Sequence, residues 1–211
     1  MKNIIFIAPP AAGKGTQSTM LKEKYTYNHL STGDMLREEI NTGSELGLML
    51  KNIIDRGELV SDEIIINLIK DKLTNLDGKP FILDGFPRTL NQAISLDNIL
   101  DKDYEVIYLD LDKEEASKRI LGRVTCSCGA SFNLNVDSLK PKVMGICDNC
   151  GKSLVKRCDD NIDSFNIRYD SFLNNTKPLL EYYEEKNKLY KIDVNRKVED
   201  IFNDIVDVCN D

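Results

Sequence analysis

The sequence predicts an α/β fold built on a parallel sheet, and three observations carry that reading. Short β-branched apolar runs at residues 2–7, 80–83 and 106–111 have the composition of strands buried on both faces. Helical stretches separate each run from the next, as at residues 16–24, which hold helix formers and neither Pro nor Gly. The chain has 211 residues, 41% hydrophobic and 30% charged, enough for one domain with inserted subdomains. With 12 Gly and 6 Pro it is neither disordered nor collagen-like.

Taken in order, the first strand (2–7) runs into Ala8-Pro9-Pro10, then a Gly-containing turn, then the helix at 16–24. Residues 28–30 and 189–192 are weaker strand candidates that would bring the sheet to five. Between about 125 and 156 helical periodicity vanishes and Gly, Ser, Asn and four cysteines appear, which reads as a small inserted subdomain. Helix signals resume near Ser164. The final stretch places Val198, Ile201, Phe202, Ile205 and Val208 on one face of a helix packed on the sheet.

Lys and Arg total 28 against 35 Asp and Glu, a net charge of −7. That balance argues against a nucleic-acid partner, so any nucleotide site must concentrate its own positive charge. No apolar run approaches the roughly 18 residues of a membrane span, and residues 1–8 are too short for a signal peptide, so the expected location is the cytoplasm, away from membranes. The six cysteines are then expected as metal ligands or reduced thiols. His29, the only histidine, is expected to be structural beside the second strand.

The segment Ala8 to Gln17 lies where backbone N–H groups and a helix N-terminus can surround phosphates. Lys14 would reach the outer phosphates, and Thr16 is placed to support Mg2+. An ordinary strand-to-helix turn is the plainer alternative. Asp84 ends an apolar run where an acid can organise Mg2+ and its waters, or can be a simple strand-terminal carboxylate. Gly85-Phe86-Pro87-Arg88 forces a compact turn and presents a guanidinium suited to phosphate, unless that arginine is merely solvated.

These residues carry a resemblance. The loop Gly13-Lys14-Gly15-Thr16-Gln17, then Ser31-Thr32-Gly33-Asp34-Met35-Leu36-Arg37, then Asp84-Gly85-Phe86-Pro87-Arg88, resemble adenylate kinase in order and spacing. Arg119, Arg123, Arg157-Cys158-Asp159-Asp160 and Arg168 extend the resemblance over nearly the whole chain. It implies the P-loop nucleoside monophosphate kinase fold: a five-stranded parallel sheet flanked by helices, a helical AMP-binding insert and a small zinc-ribbon-like lid. The implied division is a core of residues 1–30, 61–122 and 161–211, an insert at 31–60 and a lid at 123–160.

The implied activity is reversible Mg2+-dependent phosphoryl transfer from ATP to AMP, giving two ADP, by a chain expected to be monomeric. By resemblance, Ala12, Gly13, Lys14, Gly15, Thr16, Arg119 and Arg123 bind ATP. Thr32, Arg37, Gly57, Val60, Gly85, Arg88, Gln92, Arg157 and Arg168 bind AMP. Lys14, Arg88, Arg123, Arg157 and Arg168 surround the migrating phosphate, while Asp159 and Asp160 anchor the closed lid. The chemistry agrees, because an ionised phosphate acceptor needs neutralisation and in-line placement rather than a general base. Thr32 and Gln92 favour AMP over UMP or CMP, the acceptors of the related pyrimidine-nucleotide kinases.

Three positions depart from the family. Ala8 and Ala11 stand where it usually has Gly, and because positive φ costs a non-Gly residue about 1 to 2 kcal/mol, ordinary angles are expected at both. Val194 replaces the usual Gly after the last strand's Asp, so no adenine contact is assigned to Asn195 or Arg196.

Cys126-Ser127-Cys128-Gly129 and Cys147-Asp148-Asn149-Cys150-Gly151 resemble the two halves of a zinc ribbon, with bare reduced thiols as the alternative. A lid this small has too little apolar surface to fold alone, and Zn2+ would supply the difference. The first pair is one residue shorter than a regular knuckle, which leaves Cys158 as a possible substitute ligand. Otherwise Cys158 and Cys209 are expected to be ordinary thiols. A zinc-ribbon binding module on a degenerate nucleotide fold is the remote competing function.

Overall fold

The computed structural model describes residues 1–56, 58–76, 78–100 and 103–210. Its strands are β1 Asn3–Ile7, β2 Asn28–Ser31, β3 Phe81–Asp84, β4 Tyr104–Asp110, β5 Arg123–Thr125, β6 Ser131–Asn133 and β7 Leu189–Asp193. The helices are α1 Lys14–Tyr25, α2 Thr32–Asn41, α3 Glu45–Asp55, α4 Asp62–Thr74, α5 Leu90–Ile99, α6 Lys113–Gly122, α7 Ile162–Glu185 and α8 Val198–Asn210. Five strands form a parallel sheet in the order β2-β3-β1-β4-β7, while β5 and β6 make a separate antiparallel pair.

The all-apolar strand runs follow from burial on both faces. Ile4 and Phe6 of β1 point into a cluster with Leu21, Ile201, Phe202 and Ile205 from α1 and α8. Ile5 and Ile7 point the other way, among Leu36, Leu50, Ile65, Leu96 and Leu179 from α2, α3, α4, α5 and α7. The predicted apolar face of the last helix is buried at Ile201, Phe202, Ile205 and Val208, with Val198 half-buried.

Boundaries moved where a polar residue hid the element. β4 starts at Tyr104, before the predicted run, because Glu105 can sit in the ladder with its carboxylate accepting from Lys2 Nζ at 2.8 Å. In the cysteine-bearing stretch, β5 and β6 are three residues each, too short to show a period. Capping fixes where five helices begin: Ser31, Ser44, Thr89, Asp112 and Asn161 each accept from the N–H three residues on.

The register pairs Phe6 with Asp84, which puts the loop after β1 beside the turn after β3, at the carboxyl ends where open α/β sheets bind ligands. Val194 is fully buried, and its carbonyl accepts from Arg119 at 3.0 Å. No helix among the described residues is long and apolar enough to cross a membrane.

Candidate active site

The loop after β1 enters α1 through Gly13, whose φ of 95° lies in the left-handed region. The first intrahelical bond runs from Gln17 N–H to the Gly13 carbonyl, so the amides of Lys14, Gly15 and Thr16 have no helical partner and face outward as an anion-binding end. Ala12 is buried beneath the loop. The angles expected at the two departures hold at Ala8 but not at Ala11, which adopts φ 65°. The tight return of the loop imposes the left-handed turn whatever the side chain, at a cost of about 1 kcal/mol.

Lys14 opens α1, its ammonium 3.4 Å from the Ala8 carbonyl. Burial, together with Arg88, Arg168 and Arg123, lowers its pKa to about 8 against the opposing pull of Asp84. Asp84 is held by His29 Nε2 at 3.3 Å. Its burial alone would raise the pKa, but the His29 hydrogen bond and the Lys14 charge outweigh it and keep the carboxyl low. His29, expected beside the second strand, lies within β2 and positions the Asp84 carboxylate.

Two adjoining clefts meet over this loop, sharing Leu59, Gly85, Arg88 and Arg168. One, open to solvent and spanning about 630 Å³ with its mouth, is lined by Thr32, Arg37, Val60, Ile65, Gln92 and Asp159 among others. The other, about 640 Å³, takes in Lys14 and Phe172. Gly85 sits between them at φ 84°, where a Cβ would come within 2.6 Å of the Thr32 hydroxyl. That hydroxyl donates toward the Gly85 carbonyl at 3.0 Å, and Arg88 Nε donates to the same oxygen at 2.8 Å.

The arginines predicted from sequence converge. Arg88 keeps solvent access, yet desolvation among the walls of the cleft and neighbouring Arg168 and Arg37 lower it to about 10. Burial, Arg123 and Arg37 do the same to Arg157, also to about 10. Arg168 is lowered mainly by burial, although Asp159 accepts from it at 2.9 Å. Arg123 forks onto fully buried Asp160, with Nε to Oδ2 at 2.8 Å, and Arg37 pairs with Asp34. Arg119 stands apart from this group, bonded to Glu115 and to the Val194 carbonyl. Gly57 lies outside the described residues.

The four cysteine sulfurs of the insert lie within 4.8 Å of one another. The Cys126–Cys150 and Cys128–Cys147 separations are 3.4 and 3.6 Å, against about 3.8 Å for the edge of a ZnS4 tetrahedron. Both turns close through glycines at positive φ, Gly129 and Gly151, so the shortened first pair still delivers two converging sulfurs. The thiols titrate as a coupled group, the Cys128 N–H drawing Cys126 down while the hydrogen bond to Cys126 and its other neighbours push Cys150 up, so the four do not ionise independently. Cys158 is not part of the cluster; its sulfur is 3.6 Å from Asp55 Oδ1.

Sequence reasoning missed Asp62 and the apolar wall of Leu36, Ile54, Leu59 and Ile65. Asp62 reads as an ordinary first-turn acid of α4, and only the fold brings it to Gln92 and Thr89.

An anion-binding helix end, a half-buried lysine and an arginine cluster at the carboxyl edge of a parallel sheet define a P-loop kinase. Residues 6–188 match the adenylate kinase family. The chain is 44% identical over 205 residues to an adenylate kinase of Fervidobacterium nodosum, covering 94% of this chain and 93% of that protein. It is 43% identical over 210 residues to one from Petrotoga mobilis, at 97% and 96% coverage. An Archaeoglobus fulgidus relative is 44% identical over 209 residues, at 96% and 95%. The chain belongs to the adenylate kinase family, phosphotransferases that act on nucleoside monophosphates.

Proposed function

We propose that the protein transfers the γ-phosphoryl group of ATP to AMP, giving two ADP. The observation that carries this is that Lys14, Arg37, Arg88 and Arg168 line two adjoining clefts, with Arg123 and Arg157 near enough to repel them electrostatically. The loop from Ala12 to Thr16 holds the donor phosphates, with Arg119 and Arg123 on the ATP side. Arg37 and Arg88 hold the acceptor phosphate in the cleft lined by Thr32, Val60, Gly85 and Gln92, which takes the AMP base. An AMP phosphate oxygen attacks Pγ in line, the Pγ–O bond to the β-phosphate breaks, and ADP leaves. No proton need be removed from the nucleophile, so the residues act by position and charge.

The family normally uses Mg2+ with ATP. Asp84, kept ionised beside Lys14, and the Thr16 hydroxyl in the first turn of α1 are hard oxygen donors of the kind Mg2+ takes, and they would hold it where it neutralises phosphate charge. The four thiols suit Zn2+ as a closed, structural site. Residues 31–60 and 123–160 form the AMP insert and the lid, and Asp159 and Asp160 hold the lid's base to Arg168 and Arg123 as it closes and excludes water. The test is a coupled assay of ADP formation with AMP, UMP, CMP and GMP offered in parallel; turnover highest with UMP or CMP would overturn the acceptor assignment.

A further inference from the structure

Gln92 is buried, and both ends of its amide are engaged. Its Oε1 accepts from Arg88 N–H at 2.7 Å, and its Nε2 donates to Asp62 Oδ1 at 2.6 Å. The other Asp62 oxygen accepts from the Thr89 hydroxyl at 3.2 Å, and that hydroxyl also caps Gln92 N–H at 3.2 Å. A carboxylate can only accept and a backbone N–H can only donate, so these partners dictate which way round the amide lies. Turning it over would set oxygen against carboxylate and N–H against N–H.

An amide carries two N–H donors and two oxygen lone pairs, and one of each is used. What remains for the cleft is one donor and one acceptor, side by side and in a fixed order. That order matches an unprotonated ring nitrogen next to an exocyclic amino group, the edge that adenine presents among the purines and cytosine among the pyrimidines. It mismatches a ring N–H next to a carbonyl, the edge of hypoxanthine, guanine or uracil.

We propose that Asp62 is a specificity-determining positioning residue, which locks the Gln92 amide in the one orientation that reads an aminopurine and rejects an oxopurine. This rests on the reading of the cleft as the AMP site. Asp62 acts through Gln92 and touches no reacting atom. Without its carboxylate, only the Arg88 N–H opposes the flip, and an oxopurine can be accommodated by turning the amide over.

The experiment compares kcat/KM for AMP and IMP, two purines of the same shape with opposite edges, in the parent, Asp62→Asn and Asp62→Ser. Both substrates are assayed on one preparation, so loss of folded enzyme divides out of the ratio. The AMP-to-IMP ratio is expected to fall about tenfold in both variants, the worth of one lost orienting hydrogen bond. In a Gln92→Leu background the same substitutions should leave the ratio unchanged, because there is no amide to orient. A ratio within twofold of the parent's, whatever happens to Tm, would leave Asp62 as a first-turn helix acid and overturn the proposal. A parent that uses AMP but discriminates poorly against IMP would likewise overturn the proposal, whereas a parent that does not use AMP would overturn the acceptor reading itself.

Discussion

Replacing Lys14 with Met should stabilise the ligand-free protein while destroying its activity. The side chains are similar in length, but the ammonium sits in the cleft with its pKa lowered from 10.5 to about 8, so the folded state disfavours its charge. The difference corresponds to about 3 kcal/mol at neutral pH. The side chain is only half-buried, and solvent screening reduces this to about 1 to 2 kcal/mol. For a chain of this size that is a Tm gain of about 2 to 8 °C. The sign follows from linkage. Below pH 8 both folded and unfolded lysines are charged and the full penalty is present; between 8 and 10.5 the unfolded chain binds more protons, and parent stability recovers. The gain should therefore be largest at pH 7 and shrink by pH 9.5, read as paired melting curves without nucleotide. ADP formation should fall at least a thousandfold, about 4 kcal/mol of transition-state stabilisation. A variant less stable than its parent at pH 7, a gain independent of pH, or activity within tenfold would refute the reasoning.

Ala11→Gly should raise stability by about 1 kcal/mol in urea unfolding, since glycine meets no Cβ penalty at φ 65°; a loss would mean the loop is not strained there. Asp160→Asn should cost about 3 kcal/mol, because it strands the Arg123 guanidinium beside a fully buried site, and an unchanged urea midpoint would refute that account. Protein purified without chelator should carry one Zn2+ per chain, and Cys128→Ser should lower that content together with Tm. Elemental analysis giving less than about 0.2 zinc in the parent would mean the sulfurs are held by packing alone.

The strands were legible because burial on both faces leaves a continuous apolar run, and Ile4 to Ile7 could hardly be anything else. The phosphate loop and the arginines were legible as residue types at spacings that ordinary turns do not require. Their partners were not. Nothing local ties Arg123 to Asp160 or Gln92 to Asp62, which are 37 and 30 residues apart and meet only through the fold. Ala11 misled for a related reason: propensity at one residue lost to the closure of the whole loop. The lid strands escaped notice because three residues cannot display a period of two convincingly.

The cations of the cleft divide into those a carboxylate meets and those it does not. Arg37, Arg123 and Arg168 bond to Asp34, Asp160 and Asp159. Among the described residues Lys14, Arg88 and Arg157 bond to no carboxylate, and they are depressed to about 8, 10 and 10, while Arg168 is lowered even with its partner. The protein thus half-neutralises its cluster and leaves the remainder as unfavourable charge in a partly desolvated cleft. That arrangement cannot be optimal for stability, since carboxylates elsewhere in this acidic chain are abundant. A polyanion entering the cleft removes the same penalty that disfavours the empty state. Its binding is therefore strengthened by repulsion already present in the fold, and it must raise the pKa of Lys14 as it binds. Nucleotide affinity and the lysine's titration are one coupled quantity, and the cost of holding the charges in place is met before the substrate arrives.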